Sequence, residues 1–442
     1  MVKYVHAFCA LSGPALLLVG FIAYFKVSLD AVGISFLVIA IQSACALMVI
    51  GMRCTNLLTV YSIFTLVFFS LIPWLHYSEG HHMWRYSAIP SDLHIFANIL
   101  IIISNILIVI TYTVVKGKKA VSKQTLRTHR NRGKAMVVLL LMSVGSFLGL
   151  LYLNEFSLRL LLFRGLVDGL AHGSQPQSPI MLVLGMSFRL APLFCFLFSV
   201  VRISGYNYLK VLLLIILLFS VFPTGVARFL TAFVYIPVLL VLLPSFRRAW
   251  VFSGVLVSAI VFVFPFLEQF RYFSGWDRVT LSPNPDFFRQ AHFDAYENML
   301  SAIEAEFVTY GYQLLGALLF FVPRAFWQEK PVGSGYQLAE NLGYRFNNIS
   351  MPFLGEGYVN FGIIGFMLFS ISAGFSMARL DKTFSGILSA KRVYSYEAAI
   401  YLYLIGALFF FLRGDLLSSF SFTLAGLAVA FLVARTIDAL RF

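Results

Sequence analysis

The feature that most constrains this chain is a series of long apolar runs separated by polar segments. About 20 predominantly apolar residues suffice for a helix to cross the hydrocarbon core of a bilayer. Twelve such runs predict an all-α polytopic membrane protein with about twelve transmembrane helices. The runs lie near residues 7–25, 31–50, 57–75, 96–115, 135–153, 179–201, 211–223, 229–244, 249–267, 357–378, 396–412 and 417–434.

Composition excludes a set of soluble domains of this size. Hydrophobic residues are 60% of the 442 residues and charged residues only 12%, about half the charged share of a soluble domain. Too few charged side chains are present to coat several folded domains with a polar surface. The four cysteines lie inside or beside the apolar runs, so no disulfide framework is predicted (Cys9, Cys45, Cys54 and Cys195).

The positive charges of the chain predict its topology rather than a nucleic-acid partner. Residues 116–134 hold eight Lys and Arg and no acid between two apolar runs. Basic loops stay on the cytoplasmic side of a membrane. With this segment inside, twelve crossings put both termini in the cytoplasm, most basic residues inside and most acids outside. We expect no binding to nucleic acid.

The predicted crossings divide the chain into three parts. Nine transmembrane helices occupy 1–267, a long extracytoplasmic loop occupies 268–356, and three transmembrane helices occupy 357–442. The apolar stretch at 313–323 is about half a span long, and a crossing there would place the later basic residues outside. We therefore interpret it as a short membrane-dipping or interfacial helix within the long loop.

Arginines at the external ends of predicted spans are the first candidate site residues. Arg228 begins the eighth span, Arg324 lies in the long loop with Lys330 nearby, and Arg413 follows the eleventh span. The planar guanidinium suits diphosphate oxygens, so these arginines are predicted to converge on a diphosphate. The alternative is that each extends to lipid headgroups. Arg164 and Arg189 are further candidates for a phosphate site.

Acids and a histidine of the long loop are candidate bases. His292 and Asp294 lie in an acid-rich stretch that would form a helix, and either side chain is able to deprotonate a sugar hydroxyl. The alternative is a solvated amphipathic helix on the bilayer. Glu356, flanked by two glycines just before a span, is the first-choice base, beside the wall of a predicted cavity. The alternative there is an acid that stabilises a helix N-terminus.

Motifs of soluble enzymes are absent from the sequence, which contains no P-loop, no G-x-G-x-x-G, no H-E-x-x-H and no C-x-x-C. Four histidines occur at 76, 81, 82 and 94, but no further ligand spacing supports a metal site. Neither a cofactor nor a metal is therefore predicted, and the arginines are the expected counter-charges for an anionic substrate.

Taken together, these residues resemble the Wzy-type O-antigen and capsular repeat-unit polymerases. The motifs cover about a quarter of the chain, and the helix layout covers the rest. They are Gly225 to Arg228; Phe293-Asp294, Val322-Pro323-Arg324, Trp327 and Lys330-Pro331 in the long loop; Gly355-Glu356-Gly357-Tyr358 with Asn360-Phe361-Gly362 and Gly365; and Arg413 with Asp415.

The resemblance implies glycosyl transfer at the outer face of the bacterial inner membrane. A glycan on undecaprenyl diphosphate moves en bloc onto a fresh lipid-linked repeat unit, and undecaprenyl diphosphate leaves. The resemblance further implies Trp327 and Tyr358 as sugar-binding residues, no cofactor, and a chain-length regulator and a flippase as partners. Membrane lipid and the lipid-linked oligosaccharide are the expected ligands.

Two other functions remain open at this level. An O-antigen ligase or another lipid-linked-sugar glycosyltransferase would share the substrate and the external site. A transporter or flippase would share the number of spans. Carriers usually place polar residues near the bilayer midplane, whereas here Arg189 is the one charged residue well inside a predicted span and most polar residues are external.

Overall fold

The computed structural model describes residues 18–51, 54–85, 87–117, 132–163, 179–272, 285–389 and 396–439. Within these ranges every regular element is helical and no strand occurs. Nine helices of the described ranges are long and apolar enough to cross a membrane. The chain is therefore a multi-pass helical membrane protein, and the predicted number of twelve crossings stays a prediction.

The helices match the predicted runs in order. The first run is described only from residue 18, and 18–25 are helical. Two apolar helices, Asn207–Ser220 and Arg228–Leu242, are shorter than the nine, with 14 and 15 residues. The helices are α1 Ala31–Gly51, α2 Leu57–Leu66, α3 Ile72–Glu79, α4 Ser91–Lys116, α5 Arg132–Leu153, α6 Leu158–Leu162, α7 Pro179–Arg202, α8 Asn207–Ser220, α9 Arg228–Leu242, α10 Ala249–Ser258, α11 Phe264–Glu268, α12 Ala295–Glu304, α13 Tyr312–Leu318, α14 Ser334–Asn341, α15 Phe353–Ser389, α16 Tyr396–Arg413 and α17 Leu416–Ala439.

Two of the spans contain a π-helical turn just before a proline. Val67–Leu71 joins α2 to α3, which has Pro73 in its first turn, and Ala259–Val263 joins α10 to α11, which has Pro265 in its first turn. Proline has no N–H and its ring crowds the preceding turn. A wider turn of this kind accommodates the proline without ending the helix.

The apolar side chains form two large core clusters. One contains residues of α1 to α4, α10, α12 and α15. The other contains residues of α5, α7, α8, α9 and α17. Residues of α9 and α16 belong to both clusters, so these two helices join the halves of the bundle; α9 begins at Arg228 and α16 ends at Arg413.

The helices run between two ends of the molecule that differ in their polar contacts. At one end Asp381 accepts hydrogen bonds from the backbone N–H of Leu57 at 3.2 Å and from the hydroxyl groups of Tyr112, at 2.6 Å, and Tyr401. We call this the Asp381 end. At the opposite end, which we call the arginine end, α16 finishes at Arg413 and α9 begins at Arg228.

The long loop predicted at 268–356 is largely folded against the arginine end. Helix α12 is buried along its length, with Ala295 to Ile303 in the interior. The interpretation of this stretch as a helix lying on the bilayer is therefore wrong: its many apolar side chains pack in the core. Within the predicted dipping segment, α13 has only seven residues, too few to cross a membrane.

Helix α15 is broken near its start. Phe361 and Gly362 leave the helical conformation, and Gly362 has φ of +62°, which glycine adopts without steric cost. Because of this break, Phe353–Asn360 forms a separate short helical segment ahead of the long apolar part. The backbone N–H groups of Thr309 and Gly311 donate to the carbonyls of Val359 and Asn360, which ties the long loop to the break.

Candidate functional site

Arg413 lies at the centre of a polar network at the arginine end. Its guanidinium donates to the carbonyl oxygens of His292 at 2.8 Å and Ala291 at 2.9 Å. It also donates to Oδ1 of Asp294 at 2.9 Å. The end of α16 is thus joined directly to the segment that precedes α12.

Asp294 is buried, with 2% of its side chain exposed. Besides Arg413, it accepts hydrogen bonds from the hydroxyl group of Ser350 at 2.6 Å, the backbone N–H of Ser350 at 3.1 Å and the side-chain amide of Asn298 at 2.9 Å. A carboxylate with this many donors is held in one orientation. Asp294 therefore fixes the position of the Arg413 guanidinium.

Arg228 approaches the same segment from α9. Its guanidinium forms an ion pair with Glu268, the last residue of α11, and lies 5.2 Å from the centre of the Phe287 ring. Nε2 of His292 is 2.9 Å from the same Glu268 carboxylate. Because an ionised carboxylate only accepts hydrogen bonds, this contact favours the tautomer in which Nε2 donates and Nδ1 accepts.

We call Arg228, Glu268, His292, Asp294 and Arg413 the arginine network. Its cationic and imidazole side chains are partly accessible, with 20% of Arg228, 26% of His292 and 27% of Arg413 exposed. Chemically, the two guanidinium groups are able to bind an anion, and the imidazole is able to accept or donate a proton. Of the three arginines predicted to converge, Arg228 and Arg413 belong to this network.

The start of α9 explains the Gly225 to Arg228 motif. A β-carbon on Gly225 would lie 2.1 Å from the carbonyl oxygen of Leu161, so only glycine permits the close approach of this turn to α6. The side chain of Thr224 donates to the carbonyl of Leu162 at 2.7 Å. These contacts fix the first turn of α9 and, with it, the backbone of Arg228.

Glu356 is not at a cavity wall, and that part of the prediction is wrong. Its side chain is fully buried in the short segment before the break in α15. One carboxylate oxygen accepts from the Ser334 hydroxyl at 2.8 Å and the other from the Leu416 N–H at 2.8 Å. With both oxygens bound to protein donors, Glu356 joins α14, α15 and α17 and does not face a substrate in this conformation.

Asp415 lies beside Glu356 at the start of α17. Its carboxylate accepts from the Ser418 N–H at 2.9 Å, as an N-cap does. Burial raises the pKa of Asp415 above its ordinary range, against the opposing effect of backbone and side-chain hydrogen bonds. The pKa of Glu297, whose carboxylate accepts from the Met83 and Trp84 N–H groups, is likewise raised by burial.

The raised pKa of Asp415 predicts how stability depends on pH. Well below pH 4 the carboxyl group is neutral in the folded and the unfolded chain. As pH rises, the unfolded chain releases the proton while the folded chain resists release, so folded wild type loses stability. Asp415→Asn keeps a capping side chain without the charge. Its thermal midpoint should exceed that of wild type by a margin that widens as pH rises above about 4, and that levels off once pH exceeds the pKa of the folded carboxyl group.

Ser421→Ala supplies the control for this comparison, because Ser421 lies in the same helix as the Asp415 cap and carries no titratable group. The midpoint difference between this variant and wild type should stay flat over the same pH range. A margin for Asp415→Asn that narrows as pH rises would contradict the assignment.

Arg324 does not join the arginine network through any contact of the described residues. It is exposed on the turn after α13, near Lys330. Burial lowers the pKa of Lys330, and the positive charge of Arg324 lowers it further by a smaller amount.

Lys330 has a structural role in the same turn. Its ammonium group donates to the carbonyls of Phe320 and, at 3.0 Å, Val322, so it stabilises this turn. The ring of Trp327 packs edge-on against Tyr312 at 6.0 Å.

Three further predicted residues lie elsewhere. Tyr358 is buried, and its hydroxyl is 3.5 Å from the carbonyl of Ile303, so it packs in the core. Arg189 donates to the carbonyl of Ser220 at 3.2 Å and thereby satisfies the last residue of α8. Arg164 lies outside the described residues.

The histidines of the 76–94 region contact protein groups. Nε2 of His76 is 2.7 Å from the carbonyl of Phe288, and Nε2 of His81 is 2.8 Å from the carbonyl of Arg289. Nδ1 of His94 is 3.2 Å from the Tyr296 hydroxyl. In the described ranges no group of three or more His, Cys, Asp and Glu side chains is arranged to hold a metal ion.

Sequence reasoning missed Glu268, which lies at the centre of the Arg228 and His292 contacts. The sequence does contain a signal for Glu268, because α9 and the span formed by α10 and α11 are consecutive and therefore antiparallel. The last residue of the second span therefore returns beside the first residue of α9. Ser350 and Asn298, which hold Asp294, are polar residues within a long loop and carry no such signal.

Comparisons with protein-family models, curated proteins and solved structures find no match to this chain.

Proposed function

We propose that this membrane protein polymerises undecaprenyl-diphosphate-linked oligosaccharide repeat units of a bacterial surface polysaccharide. The observation that carries the proposal is the arginine network, in which two guanidinium groups and a histidine–carboxylate pair meet at one end of the apolar helices. A lipid-linked sugar diphosphate presents its reacting bond at that level of a membrane, because its tail stays in the bilayer.

The arginines are assigned to the diphosphate. When the glycosidic bond to the diphosphate breaks, negative charge develops on the leaving oxygen. Donors aimed at such a charge stabilise the transition state. In the structure Arg228 and Arg413 are held by Glu268 and Asp294, which set their positions before substrate arrives. Their exposed parts are the surfaces offered to phosphate oxygens.

His292 is assigned as the base, in place of Glu356. The acceptor hydroxyl attacks the anomeric carbon, a new C–O bond forms, and the bond from that carbon to the diphosphate oxygen breaks. The hydroxyl proton passes to the imidazole of His292, and undecaprenyl diphosphate leaves with the bonding electron pair. Glu268 accepts the hydrogen bond from Nε2 and stabilises the charged imidazole that results.

A gel ladder of surface glycan tests the proposal. Deletion of the gene from its source strain should leave glycan carrying a single repeat unit, and complementation should restore the ladder. Loss of all glycan attached to the cell surface, with polymer still present on the lipid carrier, would instead indicate a ligase. An unchanged ladder in the deletion strain would refute the proposed function.

The proposed site requires the arginine end to be extracytoplasmic. We expect Asn348→Cys, exposed at that end, to react with a membrane-impermeant maleimide in cells with a permeabilised outer membrane. Ser204→Cys, exposed at the Asp381 end, should react only after lysis. Both are made in a variant whose four native cysteines are replaced. Labelling of Ser204→Cys in unlysed cells, with protection of Asn348→Cys, would place the arginine network in the cytoplasm.

A further inference from the structure

An aromatic surface lies at the end of α12 opposite Asp294 and the arginine network. The rings of Trp84 and Phe346 stack at 5.6 Å with their planes 17° apart, and 45% of Phe346 is exposed. Beside them Arg85 forms a two-point ion pair with Glu304, the last residue of α12, with a second contact of 3.2 Å. We call Trp84, Arg85, Glu304 and Phe346 the aromatic platform.

The platform is rigidly positioned. The backbone N–H groups of Met83 and Trp84 donate to the buried Glu297 carboxylate at 2.9 to 3.2 Å. The hydroxyl of Tyr344 donates to the Ser301 hydroxyl at 3.1 Å. Both contacts attach the two loops that carry the aromatic rings to α12. The platform and Asp294 are therefore held on one helix.

The side chains of the platform suit a carbohydrate. The exposed face of an aromatic ring stacks on the C–H face of a sugar, and a planar ion pair offers donors and acceptors to hydroxyl groups. The indole N–H of Trp84 is buried and donates to no atom of the described residues. Such unsatisfied donors are rare in proteins, and this one belongs to a ring of the platform.

The distance to the arginine network fits a glycan chain. Asp294 and Glu304 are ten residues apart on α12, which corresponds to about 15 Å at 1.5 Å per residue. An oligosaccharide whose reducing end lies at the network is long enough to cover this distance. An extended chain of that length reaches from one place to the other.

We propose that the aromatic platform is an oligosaccharide-binding subsite that holds the glycan away from the reacting bond. This inference rests on the proposed function for its biological role, because a polymerase has to retain a chain while the next unit is added. The platform recognises sugar rings by stacking, and the arginine network recognises the diphosphate.

Binding by the purified full-length protein in detergent tests the subsite directly. The probe is the source strain's own surface glycan, cut by mild acid into short oligosaccharides, with saturation-transfer NMR as the readout. We expect wild type and Phe346→Trp to bind, and Phe346→Leu to bind about fivefold more weakly, since leucine keeps apolar contact but lacks an aromatic face. Tyr336→Leu, a similarly exposed aromatic outside the platform, should bind as wild type does.

Two results would overturn the subsite. One is the absence of binding by wild type, and the other is equal binding by Phe346→Leu and wild type. Neither refutes the polymerase, which the ladder of the deletion strain tests separately. In that strain, complementation with Phe346→Leu should restore polymer with a modal length of roughly half that of wild type, because fivefold weaker retention ends chains earlier. A full ladder without the gene would refute the polymerase while the binding result stands.

Discussion

Replacing Arg413 with alanine is expected to abolish polymer formation. The guanidinium contacts two carbonyl oxygens and the buried Asp294, and it is the best-held cation of the arginine network. Loss of one donor to a developing oxyanion lowers the rate by about 10²–10³. Arg413→Lys keeps the charge but not the two-point geometry, so we expect intermediate loss. The measurement is the gel ladder, with membrane protein quantified in each strain.

Two further variants separate catalysis from folding. Arg289→Ala is the matched control, because Arg289 also forms two ion pairs at this end but lies on the surface, with 39% of its side chain exposed. Exposed pairs contribute little, and a normal ladder is expected. The double change Arg413→Ala with Asp294→Asn removes both charges of the pair. If this double variant polymerises as wild type does, Arg413 acts only by neutralising Asp294 and our assignment is wrong.

Replacing His292 with alanine is the second change with a large expected effect. The base accepts the proton of the attacking hydroxyl, and general base catalysis contributes about 10²–10⁴-fold to a rate. Because a quarter of the side chain is exposed, the space that it leaves is open to small solutes. We therefore expect added imidazole to restore part of the activity of His292→Ala. His82→Ala, at the same end of the molecule, should retain normal activity and gain nothing from imidazole.

A loss that imidazole does not rescue would leave His292 as a positioning residue only. Glu268→Gln then tests whether the carboxylate charge is needed, because glutamine still contacts Arg228 and His292 but carries no charge. In our assignment this variant loses activity while His292 stays in place. Wild-type rates for both His292→Ala and Glu268→Gln would remove the histidine–carboxylate pair from the mechanism.

The order of the helices was predictable from hydrophobic length alone. Each apolar run from 31–50 onward has a matching helix in the described ranges, because a span must satisfy its backbone hydrogen bonds internally. The interior of the long loop was not predictable in the same way. Helix α12 of this loop mixes acidic, polar and apolar residues, a pattern typical of a half-exposed helix, whereas the bundle buries Ala295 to Ile303.

The candidate site was predictable only in part, for a related reason. Arg228 and Arg413 could be assigned to one face because each lies at the end of a run. Glu356 also lies near the end of a run, but the segments around 334 and 416 close over it. Burial of a polar side chain in this way depends on tertiary contacts between segments that are far apart in the sequence. Periodicity and charge patterns do not encode it locally.

Synthesis by the isolated protein is the most direct test of the proposed polymerase. The full-length protein is reconstituted in liposomes with undecaprenyl-diphosphate-linked repeat units of its source strain, and products are separated by mass. We predict lipid-linked dimers and longer chains, one undecaprenyl diphosphate released per bond formed, and loss of both in Arg413→Ala. Transport of the substrate across the liposome membrane without any new glycosidic bond, or no reaction until a second type of acceptor is added, would contradict the polymerase.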